Sequence, residues 1–225
     1  MMAGTAAAQT VEVQNNSSFQ APVKSSFFAY LIPSNDTTGK NFIATLQATG
    51  SGKHADVEEL FAKMKEKAQE IGANAYRFIS FKRDSIEKSA VLIVDAYYAN
   101  AAALDINMQQ AEKGVIYIFG DAEKSNKTYT FKINGDKKEF KGGSYYKHVM
   151  KPGEEVKINK GGITGATIWF TWKENRPPVF LTLSGFGLGG AMPQGVVGAS
   201  FNTGRINYVT GGLGPLLLEV LKPHE

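Results

Sequence analysis

The clearest periodic signal in the chain lies between residues 57 and 71. Val57, Leu60, Phe61, Met64, Ala68 and Ile71 fall at steps of 3, 1, 3, 4 and 3, the spacing that puts apolar side chains on one face of a helix. Asp56 followed by Glu59 is a start of the capping-box type, and Gly72 supplies the stop. Burying each large side chain of that stripe contributes about 1.5–3 kcal/mol, so the helix needs a sheet to lie on. Aromatic and β-branched runs predict the strands of that sheet at 23–32 and 41–49 before the helix, and at 75–82 and 90–98 after it. Pro33, Asn35, Asp36 and Gly39 mark the first turn, and the polar stretch 83–88 marks the second. Residues 22–99 therefore read as a β-β-α-β-β unit, a small α+β sandwich.

Beyond residue 99 the pattern changes. Residues 100–112 are Ala-rich and predict a helical linker. From 113 to 225 the chain alternates short strands with turns, as an antiparallel β-sandwich does. Val115–Phe119 is apolar on both faces, as a central strand is. Tyr129, Phe131 and Ile133 alternate with Thr128, Thr130 and Lys132, which reads as a half-exposed strand. Asn134-Gly135 then gives a strong hairpin signal, with Phe140 on the return strand. Pro152-Gly153 and Gly161-Gly162 turn the chain before Val156 and Ile158 and before 166–172, and Pro177-Pro178 precedes Val179–Ser184. The fold class expected is α+β, a small α+β domain followed by an antiparallel sandwich.

Both halves carry a family resemblance. "KAQEIGANAYRFISF…SAVLIVDAYYA", with Lys67, Ala68, Gly72, Ala73, Tyr76, Arg77 and Phe78, resembles the small periplasmic domain of the enterobacterial multiple-stress-resistance and biofilm proteins. That resemblance covers about 60 residues, and it implies a non-enzymatic protein with no active site to carry over. "GVIYIF…YTFKINGDKKEFKGGSYYKHVMKPGEEVKI" resembles a family of bacterial envelope β-sandwich domains of unknown function, through Tyr117, Asn134, Gly135, Gly143, Tyr145, Pro152, Gly153 and Val156. Both resemblances imply the bacterial envelope, and neither implies a ligand.

Composition removes several chemistries. The chain has 225 residues and no cysteine, which excludes disulfides, cysteine–zinc sites, iron–sulfur clusters and a cysteine nucleophile. No apolar run is long enough for a transmembrane helix. Ala6-Ala7-Ala8 before Gln9 has the small-x-small form that closes a secretory signal, but the charged and apolar regions that precede such a site are missing. Residues 1–21 thus read either as a flexible tail or as the remnant of a signal peptide. The formal charge is +4. Residues 1–110 hold 10 basic and 11 acidic groups, whereas residues 121–160 hold 10 lysines against 6 acids. Because those acids are interspersed and the stretch has no arginine, it reads as solvated strand faces and not as a nucleic-acid surface.

Candidate chemistry is sparse. Gly185-Phe186-Gly187-Leu188-Gly189-Gly190 has dinucleotide-fingerprint spacing. Pro193 and Gly195 follow where a helix must start, and no acid stands between Glu174 and Glu219. Gly52-Lys53 lacks the rest of a phosphate-binding loop. His54, His148 and His224 have no metal-ligand spacing, and His54 with Asp56 reads as a helix entrance. Asp95 shares a strand face with Val91, Ile93 and Tyr97, as a carboxylate does that is half-exposed or paired with a cation. Trp169 and Trp172 point to opposite faces, which suits core packing. Asp36-Thr37-Thr38 and Asp84-Ser85-Ile86 resemble the O-glycosylation acceptor triplet of Bacteroidetes-type bacteria.

The unusual stretch is 177–218, with Arg205 as its single charge. It reads either as an apolar surface for another envelope protein or a second copy, or as the last strands of the sandwich. The expected function is that of a non-enzymatic bacterial envelope protein, periplasmic or extracellular, with a binding or structural role. No cofactor, metal or catalytic residue is expected, nor nucleic acid as a partner. The alternative is an enzyme, such as a hydrolase, with Asp95, His148 and Arg176 at a domain interface.

Overall fold

The computed structural model describes residues 9–22, 25–34, 36–122, 124–161, 165–183 and 206–224. The protein has the mixed α+β architecture that the sequence pattern implies. It divides into two compact units, Met1–Gln110 and Ala111–Glu225.

The first unit contains β1 (Thr10–Gln14), β2 (Ala29–Tyr30), β3 (Lys40–Ser51), α1 (Val57–Glu70), β4 (Ala75–Asp84), β5 (Ser89–Ala99) and α2 (Ala101–Gln110). Its five-stranded sheet runs β1-β3-β5-β4-β2. α1 starts where its pattern places it: the Asp56 carboxylate accepts from the Glu58 N–H at 2.7 Å. The Glu59 carboxylate lies 2.8 Å from His54 Nδ1. The helix buries Val57, Leu60, Phe61, Met64 and Ala68. Beneath it lie Leu46 and Ala48 of β3 and Leu92, Val94 and Ala96 of β5, all buried. Phe28, Phe61 and Tyr76 close the core as a ring cluster, with centroids 4.8–6.0 Å apart.

Three features differ from the sequence reading. Residues 10–14 are not a flexible tail; they form β1, antiparallel to β3 from Thr10↔Thr49 to Gln14↔Thr45. Ser17 extends that anchorage, with its N–H donating to Ile43 C=O and its hydroxyl to Phe42 C=O, both at 2.7 Å. The strand expected at 23–32 shortens to Ala29–Tyr30 and pairs in parallel with β4 at the far edge of the sheet, not with β3. Finally, residues 101–110 form the expected helix, but it belongs to the first unit. The Asn107 side chain accepts from Ile32 N–H at 2.8 Å and donates to Tyr30 C=O at 2.9 Å, occupying the outer edge of β2. Asn74 does the same inside the fold, bonding both the N–H and the C=O of Ala99 at 2.7 and 2.8 Å.

The second unit contains β6 (Val115–Phe119), β7 (Thr128–Ile133), β8 (Asp136–Lys141), β9 (Ser144–Val149), β10 (Glu155–Lys160), β11 (Ala166–Thr171), β12 (Val179–Thr182), β13 (Asn207–Tyr208), α3 (Leu213–Val220) and β14 (Lys222–Pro223). One sheet runs β11-β10-β7-β8 and the other β13-β12-β6-β9-β14. Ile116, Ile118 and Leu181 of the second meet Tyr129, Phe131, Phe140, Ile158 and Phe170 of the first in one buried cluster, the core of a sandwich. Asn134 (φ +50°) and Gly135 (φ +95°) make the β7–β8 turn, both left-handed as a two-residue hairpin of this type requires.

The first sheet is antiparallel throughout, but the second is mixed. β12 runs parallel to β6 and β14 parallel to β9. Of the stretch 177–218, residues 184–205 lie outside the described residues, and those from 206 on form a buried layer and not only strands. Ile206, Tyr208, Val209, Leu213, Leu216 and Leu217 are buried, and Leu213–Val220 is a helix. Pro215 sits in its first turn, where the missing N–H costs nothing. α3 lies on Phe180, whose ring stacks with Tyr117 and Phe119 at 5.6 and 6.1 Å. With a sheet on one side and this layer on the other, β6 is buried at every position.

Candidate functional site

The outward face of the four-stranded sheet gathers a cluster of exposed lysines. Alternation along β7 and β10 sends Tyr129, Phe131, Ile133, Val156 and Ile158 inward. It leaves Lys132 and Lys157 exposed on the outside. The register then decides who meets whom. Lys132 stands directly opposite Lys137, Asn159 opposite Lys132 on the other side, and Lys157 opposite Trp169. Lys157 is thus the diagonal neighbour of Lys132, about 7–8 Å away in such ladders. Like charges opposite one another destabilise a sheet. Lys137 is offset by Glu139 at 2.6 Å, an ion pair that holds the Glu139 carboxyl below its ordinary range.

Around these cations the face is polar, with one ring and the carboxylates of Glu139 and Glu155. The Asn159 amide donates to Thr167 Oγ1 at 2.7 Å. The Lys157 ammonium lies 5.5 Å from the Trp169 ring centre. Trp169 is therefore a half-exposed surface ring, not a core residue, whereas Trp172 packs against the core. Of the chain's 25 basic and 21 acidic groups, 15 and 10 fall in residues 111–225, so the second unit is +5 and the first is −1.

Other lysines of the 121–160 stretch are engaged with local partners. Lys124 pairs with the buried Asp121 at 2.8 Å. Lys127 and Lys160 stand 4.8 and 5.3 Å from the Tyr129 ring, and Lys160 also donates to Leu183 C=O. Lys147 donates to Glu112 at 2.8 Å, and Glu112 also accepts from the Tyr117 hydroxyl. Lys147 and Tyr117 together hold the Glu112 carboxyl below its usual range. Burial first, and then Glu112, push the Tyr117 phenol far above its own.

Asp95 and His148 have local side-chain partners. Asp95 lies on β5, in the middle of the first unit's sheet, half-exposed. It accepts from Thr45 Oγ1 at 2.7 Å and faces Arg77 across the ladder. Arg77 donates to Ser34 C=O at 2.7 Å and stands 5.5 Å from the Tyr97 ring. His148 pairs with Glu154 at 3.1 Å in the second unit. Arg176 uses its backbone to bind Gly114 and Lys173, while its Nε and the Tyr208 hydroxyl are buried without a partner. His224 rests near the rings of Phe140 and Tyr146, at 6.4 and 6.3 Å.

Among the described residues no group of three or more His, Cys, Asp or Glu side chains is placed to hold a metal ion. No helix among them is long and apolar enough to cross a membrane. The glycine run 185–190 lies outside the described residues. An open cleft of about 350 Å³ in the first unit is lined by Ser25, Ser26, Phe27, Asn74, Tyr98, Ala99, Ala101 and Leu104, none of them charged.

No protein family, curated protein or solved structure matches this chain. Its functional reading therefore rests on the surfaces just described.

Proposed function

We propose that this is a non-enzymatic bacterial envelope protein, periplasmic or surface-associated, that binds an anionic polymer through the outward face of the four-stranded sheet. The observation that carries the reading is Lys132 directly opposite Lys137 with Lys157 on the diagonal. Glu139 and Glu155 share the face and Glu139 relieves Lys137, but like charges set close across a ladder cost stability, and Lys132 stands opposite one lysine and diagonal to another. A polyanion laid on the face removes that cost and adds attraction. The two sequence resemblances support the envelope setting. The carboxylates at His54–Glu59, His148–Glu154 and Glu112–Lys147 are each engaged with a basic neighbour, which suits a structural role for them.

The test is retention of the full chain on immobilised heparin and immobilised polyphosphate across a salt gradient. The wild type is expected to bind at low salt and elute as salt rises. The variant K132E/K137E/K157E is expected to pass through. K53E/K82E/K88E makes the same change in net charge on exposed positions of the first unit and is expected to stay bound. Flow-through of the wild type, or equal loss in both variants, refutes the reading.

A further inference from the structure

Resting on that reading, we propose that the polymer is an acidic glycan: a chain of pyranose rings bearing carboxylates, seated with one ring face on Trp169 and its anionic groups on Lys157, Lys132 and Lys137. The register distributes two kinds of chemistry across the sheet. Trp169 lies on the edge strand β11, and Lys157 is its direct cross-strand partner on β10. Lys132 and Lys137 continue across β7 and β8. At about 4.8 Å between strands, the path from ring to last cation is roughly 14–16 Å, several sugar units long.

The two ends of that path recognise different things. A half-exposed indole offers a flat apolar surface with a polar edge. A pyranose ring, whose axial C–H bonds make one face apolar while its hydroxyls point sideways, matches that surface. The Asn159 amide and Thr167 hydroxyl, bonded to each other beside the ring, supply hydroxyl-matching polarity. The lysines supply point charges for carboxylates.

Single-stranded nucleic acid fits the face less well. It needs successive rings to stack successive bases, and Trp169 is the one ring among the outward side chains of the four strands. Arginine, the usual bidentate reader of guanine, is missing from these strands as well.

The experiment is titration of the full chain with hexagalacturonate, maltohexaose, polyphosphate and a twelve-residue oligothymidylate, followed by calorimetry and tryptophan fluorescence. Trp169→Thr keeps a β-branched residue in the strand, and Trp169→Phe keeps a ring. Hexagalacturonate is expected to bind and to change the tryptophan emission, while maltohexaose does not bind. Trp169→Thr is expected to weaken hexagalacturonate at least fivefold and Trp169→Phe less, with polyphosphate binding unchanged in both.

If polyphosphate or the oligothymidylate binds and hexagalacturonate does not, the glycan assignment falls and the anion-binding face stands. The glycan assignment falls likewise if Trp169→Thr weakens every polyanion alike or none of them. If no polyanion binds the wild type, both readings fall. A cooperative urea transition in Trp169→Thr as well as in Trp169→Phe shows that the losses are not losses of fold.

Discussion

Gly214→Ala sets helix propensity against packing, and the structure decides which wins. Glycine within a helix costs about 0.8–1.0 kcal/mol relative to alanine, so propensity alone makes the substitution stabilising. A Cβ at position 214, however, would fall 2.2, 2.4 and 2.6 Å from three atoms of the Phe180 ring. Favourable carbon–carbon contact begins near 3.5 Å, so ring or helix must shift by about an ångström. The ring has little room, being stacked within 14° and 11° of Tyr117 and Phe119. α3 has to lift instead, loosening Leu216 and Leu217, which are fully buried or nearly so. Overpacking of this kind costs about 1–3 kcal/mol, occasionally more, and the loosened leucines add to it. The net expectation is a loss of about 1–3 kcal/mol despite the propensity gain.

Urea unfolding followed by tryptophan emission measures that loss directly, because Trp169 and Trp172 both lie in the second unit. A midpoint equal to or above the wild type would refute the close packing of α3 on Phe180. Adding Phe180→Leu to Gly214→Ala should recover part of the loss, and a double-mutant cycle reads the coupling.

Three further outcomes are expected. Asn74→Ala leaves the N–H and C=O of Ala99 without partners inside the fold, at a cost of about 2–4 kcal/mol, measurable as a drop in Tm. Lys132→Glu turns the like-charge pair with Lys137 into an attractive one and should stabilise the protein by roughly 0.5–1 kcal/mol while weakening its retention on heparin; a destabilised variant would show that the lysine pair is not a cost. The third concerns Glu112, whose carboxyl is held low chiefly by Lys147. A depressed acid contributes stability above its unfolded pKa of about 4.3, and that contribution is lost as pH falls through the folded value. Lys147→Met should therefore lower Tm slightly at pH 7 and converge on the wild type by pH 3, the gap being small because Glu112 is half-exposed. A gap that is constant with pH would show that Lys147 acts through packing alone.

The sequence carried those features that depend on near neighbours. The stripe on α1 with Asp56 and Gly72 marks a helix because its spacing and caps are local. Asn134-Gly135 marks a hairpin because two left-handed residues in a row suit few other structures. What escaped depends on pairing across the chain. β1 has only two valines to mark it and is a strand because β3 lies beside it. β9 mixes tyrosine, lysine and histidine because it serves a core on one side and an aromatic layer on the other. The second sheet's parallel pairs join segments far apart in sequence. α3 begins with Gly212, Gly214 and Pro215, residues that argue against a helix until a buried aromatic ring requires the glycine.

The candidate site divides in the same way. That Lys132 faces outward follows from the alternation along β7. That Lys137 stands opposite it follows from the two-residue turn. Lys157 and Trp169 join them only through a ladder contact 25 residues away, and nothing local announces it.

Asn107 has a consequence for how copies of this chain can meet. By occupying the Tyr30 C=O and the Ile32 N–H it fills the outer edge of the short strand β2 with a side-chain amide, so the borders of this sheet without a strand along them among the described residues are β1 and the part of β4 beyond Tyr76. An added strand can pair at those two borders, whereas at β2 it would first have to displace an amide that already satisfies the backbone, so Asn107 directs any edge-to-edge meeting of copies away from β2.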